Sequence, residues 1–163
     1  MGTEHALTRA LRALLWSQRT AALGTVGEDG EAFVSRVPFA IDREEQQLVI
    51  HVSALAAHTG NLLRHPRASL LVAQAEEAHQ PVHALPRVSI DVVAQAHEPH
   101  SAMAQHLCAV YLARFPEAER MTALGDFRFV GLRPLGARQV AGFGAARSLD
   151  AAEILRALGA APA

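Results

Sequence analysis

Residues 21–41 constrain the fold more than any other stretch of this chain. Two runs rich in β-branched and apolar residues, 21–26 and 32–37, flank Glu28-Asp29-Gly30-Glu31. An Asp-Gly pair between such runs predicts a tight hairpin, because glycine takes the positive φ that the turn requires. The first two strands are therefore antiparallel neighbours. After Pro38-Phe39-Ala40-Ile41 a polar turn at 42–47 leads into Leu48-Val49-Ile50-His51-Val52, which reads as a third strand.

The rest of the chain follows the same style. A helix is expected over 4–18, where Leu7, Leu11, Leu14 and Leu15 recur at helical spacing. From Ser53 the period changes to that of a short helix, and His65-Pro66 stops it because the residue before proline is pushed out of the helical region. Residues 68–73 and 88–94 read as strands around a polar, proline-containing loop at 74–86. A helix over 99–115, closing strands at 127–132 and 138–141, and a final helix over about 150–158 complete the pattern. Asp150 and Glu153 stand at capping-box spacing for that last helix. About six short strands joined by hairpin-like turns, with helices at the beginning, middle and end, predict an α+β chain that is mainly β: an antiparallel barrel with helices outside. Gly142-Phe143-Gly144 lacks the third glycine of a dinucleotide fingerprint and has no following strand-helix unit, so a Rossmann sheet is set aside.

Composition excludes several function classes. A net charge of −1 with scattered arginines gives no basic footprint for nucleic acid. No apolar run approaches the roughly 20 residues needed to span a bilayer, and no signal-peptide pattern opens the chain, so a cytoplasmic protein is expected. The single cysteine, Cys108, sits in an apolar helical stretch and reads as a packing residue rather than an activated thiol. Among the nine histidines, His79 and His83 are separated by Pro81, and His97, Glu98 and His100 have no second ligand pair, so no metal site is expected. Trp16 reads as a core or dimer anchor.

The stretch with most chemistry is 53–70, where a strand runs into a helix whose start carries Ser53, His58, Thr59 and Asn61. Such groups, with free backbone N–H groups, hold an anion; they also suit a capped surface helix. This segment resembles the phosphate-binding part of the pyridoxamine 5'-phosphate oxidase-like FMN-binding split-barrel proteins. Four further segments are similar to that family in the same order: 25–38 with Phe33-Val34-Ser35-Arg36-Val37-Pro38, Leu85-Pro86-Arg87-Val88-Ser89-Ile90, 126–134, and Val140-Ala141-Gly142-Phe143-Gly144-Ala145-Ala146, the last nearest the haem-utilisation branch. The resemblance spans most of the chain.

That resemblance implies one split-barrel domain over 1–163, with a six-stranded antiparallel barrel at about 20–142, working as a homodimer with FMN at the interface and a small-molecule substrate. It implies that His58 meets the FMN phosphate with Thr59 as a hydroxyl donor and Asn61 close behind. Ser35, Arg36 and Val37 would line the flavin, Val52 and Ser53 would lie beneath the ring or ribityl chain, and Arg87 would reach the pyrimidine edge. A cation there would stabilise negative charge on a reduced flavin. The chain also departs from the family. Ala56 and Ala57 stand where the oxidase clamp would carry Ser and Arg, and the C-terminal arginine-histidine motif is missing, so the expectation is an FMN-dependent oxidoreductase of unknown substrate, not a true pyridoxamine phosphate oxidase. The alternatives are haem binding, with the difficulty that the last histidine is His106 rather than one nearer the C-terminus, and a flavin-binding protein without turnover.

Overall fold

The computed structural model describes residues 6–159. Its elements are α1 (Ala6–Ser17), β1 (Thr20–Val26), β2 (Ala32–Pro38), β3 (Ala40–Asp42), β4 (Gln47–Ser53), α2 (Ala57–Arg64), β5 (Arg67–Ala73), β6 (Arg87–Ala96), α3 (Ala102–Arg114), α4 (Glu119–Thr122), β7 (Phe127–Val140), β8 (Ala146–Asp150) and α5 (Ala151–Leu158). The start of the first expected helix, at residues 4 and 5, lies outside the described residues. All pairings are antiparallel, in the order β2-β1-β5-β6-β7-β4-β3, with β8 added beside β7. The sheet curls into the split barrel that the strand pattern predicts.

Alternation explains the core. Ala21, Leu23 and Thr25 of β1, Leu70 and Val72 of β5, and Val88, Ile90 and Val92 of β6 point inward and are buried, as the period-2 geometry of strands requires. Strand β4 is covered on both faces: Leu48, Ile50 and Val52 join the barrel core, while Val49 turns outward under Leu107, Tyr111 and Phe115 of the α3 region. Helices α1 and α5 close the barrel with Leu11, Leu14, Leu15, Ile154 and Leu158. The Asp150–Glu153 capping box is present at the start of α5, and α2 ends at an extended His65.

Two expectations change. The closing strands at 127–132 and 138–141 are one continuous strand, β7, and its pairing with β6 passes Pro134 through a register shift between Asp91 and Val92. A bulge tolerates the residue that cannot donate to the ladder. Strand β8, with the short β3, adds to the six long strands; the loop that contains Gly142 and Gly144, both at positive φ, turns the chain back for it.

Candidate functional site

The α2 end of the barrel is built from side chains that fasten the helix to three strands. Ser53 ends β4; its hydroxyl donates to Asp126 Oδ2 at 3.2 Å and accepts the Leu55 N–H at 3.1 Å. Thr59 is buried, and its hydroxyl donates to the Ser53 carbonyl at 2.6 Å. Asn61 is buried too: Nδ2 donates to Thr25 Oγ1 on β1 at 3.0 Å, and Oδ1 accepts from Arg64 at 3.1 Å. The one hydroxyl proton of Thr59 and the amide of Asn61 are thus committed to the chain itself.

His58 is different. Its Nδ1 lies 3.0 Å from Ser35 Oγ on the edge strand β2, and partial burial lowers its pKa, so the ring is neutral at neutral pH. With the proton on Nδ1, Nε2 keeps a lone pair that no hydrogen bond among the described residues uses. Ala56, before α2, provides no side-chain cap, so the N–H groups of Ala57 and His58 keep donor capacity, while that of Thr59 is donated to the Ala56 carbonyl. Leu55 and Phe33 lie at this same end and are exposed, Leu55 by 88%.

The other expected site residues lie elsewhere. Arg36 turns to the opposite face of β2 and donates from Nε and Nη2 to Thr20 Oγ1 at 3.1 and 2.9 Å. The side chains of Val37 and Val52 are buried in the core, so only their main chains are available to a ligand. Arg87 begins β6 opposite Ala73, whereas α2 leads into β5 at Arg67; six residues of strand separate them, about 20 Å. Arg87 is held there by donation to the Leu85 carbonyl at 3.1 Å. One protomer therefore joins Ser35 to His58, with Ser53, Thr59 and Asn61 as supports, and leaves Arg36 and Arg87 apart from them. Arg64, at the end of α2, donates one guanidinium N–H to Asn61.

A second histidine was not singled out from the sequence. His51 projects from the outer face of β4, 8% exposed, with its ring stacked on Phe127 and Phe129 at centroid distances of 4.8 and 4.4 Å. Burial pushes its pKa down to about 4, and its Nδ1 is buried without a hydrogen-bond partner. Beyond it lies a cavity of about 290 Å³ that His97, His100, Cys108 and Arg128 also line; burial lowers the pKa of His97 as well. The signal was available: Leu48, Ile50 and Val52 claim one face of β4 and leave His51 to the face that an apolar α3 must cover. Among the described residues, no three His, Cys, Asp or Glu side chains are grouped to hold a metal ion.

The family model for pyridoxamine 5'-phosphate oxidase matches residues 7–141. The chain belongs to the pyridoxamine 5'-phosphate oxidase family. Within it, the chain is similar to proteins named for haem. It is 29% identical to the haem oxygenase HutZ of Vibrio cholerae over 85% of this chain and 78% of that protein. It is 30% identical to the chloroplastic haem oxygenase HOZ of Arabidopsis thaliana over 81% of this chain, but spans only 39% of that longer protein. Among solved structures, a haem-binding protein from Mycobacterium smegmatis superposes with a TM-score of 0.82 at 24% identity, over 95% of this chain and 62% of that one; at that identity the likeness establishes the fold. No helix of the described residues is long and apolar enough to cross a membrane.

Proposed function

We propose that this chain is a haem-binding protein of haem utilisation, that it works as a homodimer of one split-barrel domain per chain in the cytoplasm, and that His58 Nε2 is the iron ligand. The observation that carries the reading is the state of His58. Its ring is neutral, one nitrogen is oriented by Ser35, and the other is free; a neutral imidazole whose second nitrogen is held by a hydrogen bond is the usual protein ligand for iron. Exposed Leu55 and Phe33 supply apolar surface of the kind a porphyrin needs. Bound haem supplies the iron chemistry, while the chain supplies the ligand, its orientation and apolar walls. The relatives named for haem support the same reading.

The outer face of β2, β1, β5 and β6 supports the dimer. Among the described residues it carries the exposed Val34, Val26 and Leu71, at 68, 39 and 41%, around small residues that stand in register, Gly24 opposite Ser69 and Leu71 opposite Ser89. A two-fold axis lying across the strands of that face would juxtapose opposite strand ends and bring the partner's Arg87 toward the α2 end of its neighbour.

Absorbance of the purified chain after haemin addition tests the proposal. A Soret band that survives gel filtration and is lost or displaced in His58→Ala, but kept in His51→Phe, is the expected result. A wild-type chain that retains no haemin refutes haem binding; an unchanged band in His58→Ala refutes the ligand. FMN is the second reading, favoured by the uncapped N-terminus of α2 beside Ser35 and His58. Flavin bands retained in place of the Soret band would put an FMN-dependent oxidoreductase first.

A further inference from the structure

A cavity of about 610 Å³ lies outside the barrel, between the end of α1, strand β3 and one face of α3. It shares no lining residue with the His51 cavity and none with α2. Its volume is in the range of small-molecule pockets. Trp16, Ile41, Val110 and Ala113 make it apolar, and His106, Val110, Ala113 and Arg114 reach it together because they recur at helical spacing along α3.

The polar groups of its wall are unequally satisfied. Asp42 is 1% exposed, and both carboxylate oxygens are filled: Oδ1 accepts the N–H groups of Glu44 and Glu45, and Oδ2 accepts Gln47 Nε2 at 3.2 Å and pairs with His106 Nε2 at 2.9 Å. A cation entering the cavity finds that charge already used. Arg114 is the reverse case. Its Nη2 donates to the carbonyls of Leu15, Trp16 and Gln18 at the end of α1, yet its Nη1 is buried without an acceptor, as is Trp16 Nε1. No carboxylate among the described residues pairs with this guanidinium, which instead lies over the rings of Trp16 and Phe39 at 5.9 and 5.1 Å. Both unserved groups are donors only, and buried donors need an acceptor.

We propose that this cavity binds a monocarboxylate with an apolar body, its carboxylate against the Arg114 guanidinium and its body on Trp16, Ile41 and Val110. With Nη2 held by the three carbonyls, Nη1 is the donor left for a ligand oxygen, and a carboxylate matches the planar fork in a way that a neutral group does not. A neutral apolar molecule leaves the donors unserved. Inorganic phosphate carries the charge and gives the apolar floor nothing to cover.

Trp16 is the only tryptophan in the chain, so its emission reads the cavity directly. The purified full chain is titrated with octanoate, 1-octanol and inorganic phosphate at neutral pH. The expected result is a saturable change with octanoate and affinities at least about tenfold weaker for the other two. Arg114 also holds the end of α1, so Arg114→Gln is paired with Ala113→Phe, which fills the cavity from an exposed position of α3. With an unchanged unfolding midpoint, Ala113→Phe is expected to weaken octanoate about tenfold or more. No saturable response, equal affinity for octanol or phosphate, or full octanoate affinity in Ala113→Phe overturns the proposal. None of these outcomes depends on haem binding.

Discussion

His51 makes the stability of this protein depend on pH in a way that can be calculated. Its pKa is about 4 in the folded chain because burial among Phe127, Phe129 and Tyr111 disfavours the charged ring, against about 6.5 for an unperturbed histidine. Between those values the unfolded chain binds a proton that the folded chain refuses, so stability falls as the pH falls. The full contribution, reached below about pH 4, is roughly 3 kcal/mol at 1.36 kcal/mol per unit; about 2 kcal/mol of it is lost between pH 7 and pH 5. The perturbation is His51→Phe, which keeps an aromatic ring and removes the titration. Urea unfolding of both proteins at one protein concentration, followed by circular dichroism from pH 7 down to pH 5, measures it. Other groups titrate in both proteins and cancel in the difference, so the wild type is expected to lose about 2 kcal/mol more than the variant. Equal losses would show that His51 is protonated in the folded chain at pH 5, and the account of its buried neutral ring would be wrong.

Three further outcomes are expected. A Cβ at Gly131 would overlap Gln47 Oε1, and Gln47 is buried with its Nε2 on Asp42; Gly131→Ala should therefore cost roughly 1–3 kcal/mol, read as a lower unfolding midpoint. Asn61→Ala leaves the buried Thr25 hydroxyl without its donor and should cost a similar amount, about 1–3 kcal/mol, by the same assay. Leu71→Glu places a charge in the middle of the outer sheet face; sedimentation equilibrium should show a dimer in the wild type and a monomer in the variant, and an unchanged dimer would remove that face from the interface.

The parts of the fold that were legible in the sequence are those set by local chemistry. Asp29-Gly30 makes its hairpin, with Gly30 at φ 79°, His65-Pro66 ends α2, and Asp150 caps α5 through Glu153. Each depends on residues within a few positions of one another. The breaks at Pro134 and at Gly142-Phe143-Gly144 were not legible because their meaning depends on a partner strand. Proline interrupts a strand only where its missing N–H is needed, and the register shift at Asp91 and Val92 absorbs it. The glycines after β7 looked like an ending and are instead the turn into β8.

At the candidate site, residue type brought out side chains that the fold draws together and said little about role. Ser35 and His58 are 23 positions apart and meet only because α2 folds across the edge of the barrel. Thr59 and Asn61 look like ligand donors in the sequence, yet both are buried, the Thr59 hydroxyl donating to Ser53 and the Asn61 amide nitrogen to Thr25. A polar side chain whose protons are consumed internally holds a helix in place; a ring with one nitrogen fixed and the other free is available to a ligand. On the proposed reading, that difference makes His58 the ligand of an iron-bound porphyrin at this end of the barrel. A phosphate takes several uncommitted donors and a cation together, whereas iron takes one oriented, neutral nitrogen, and the proposed reading assigns that role to His58.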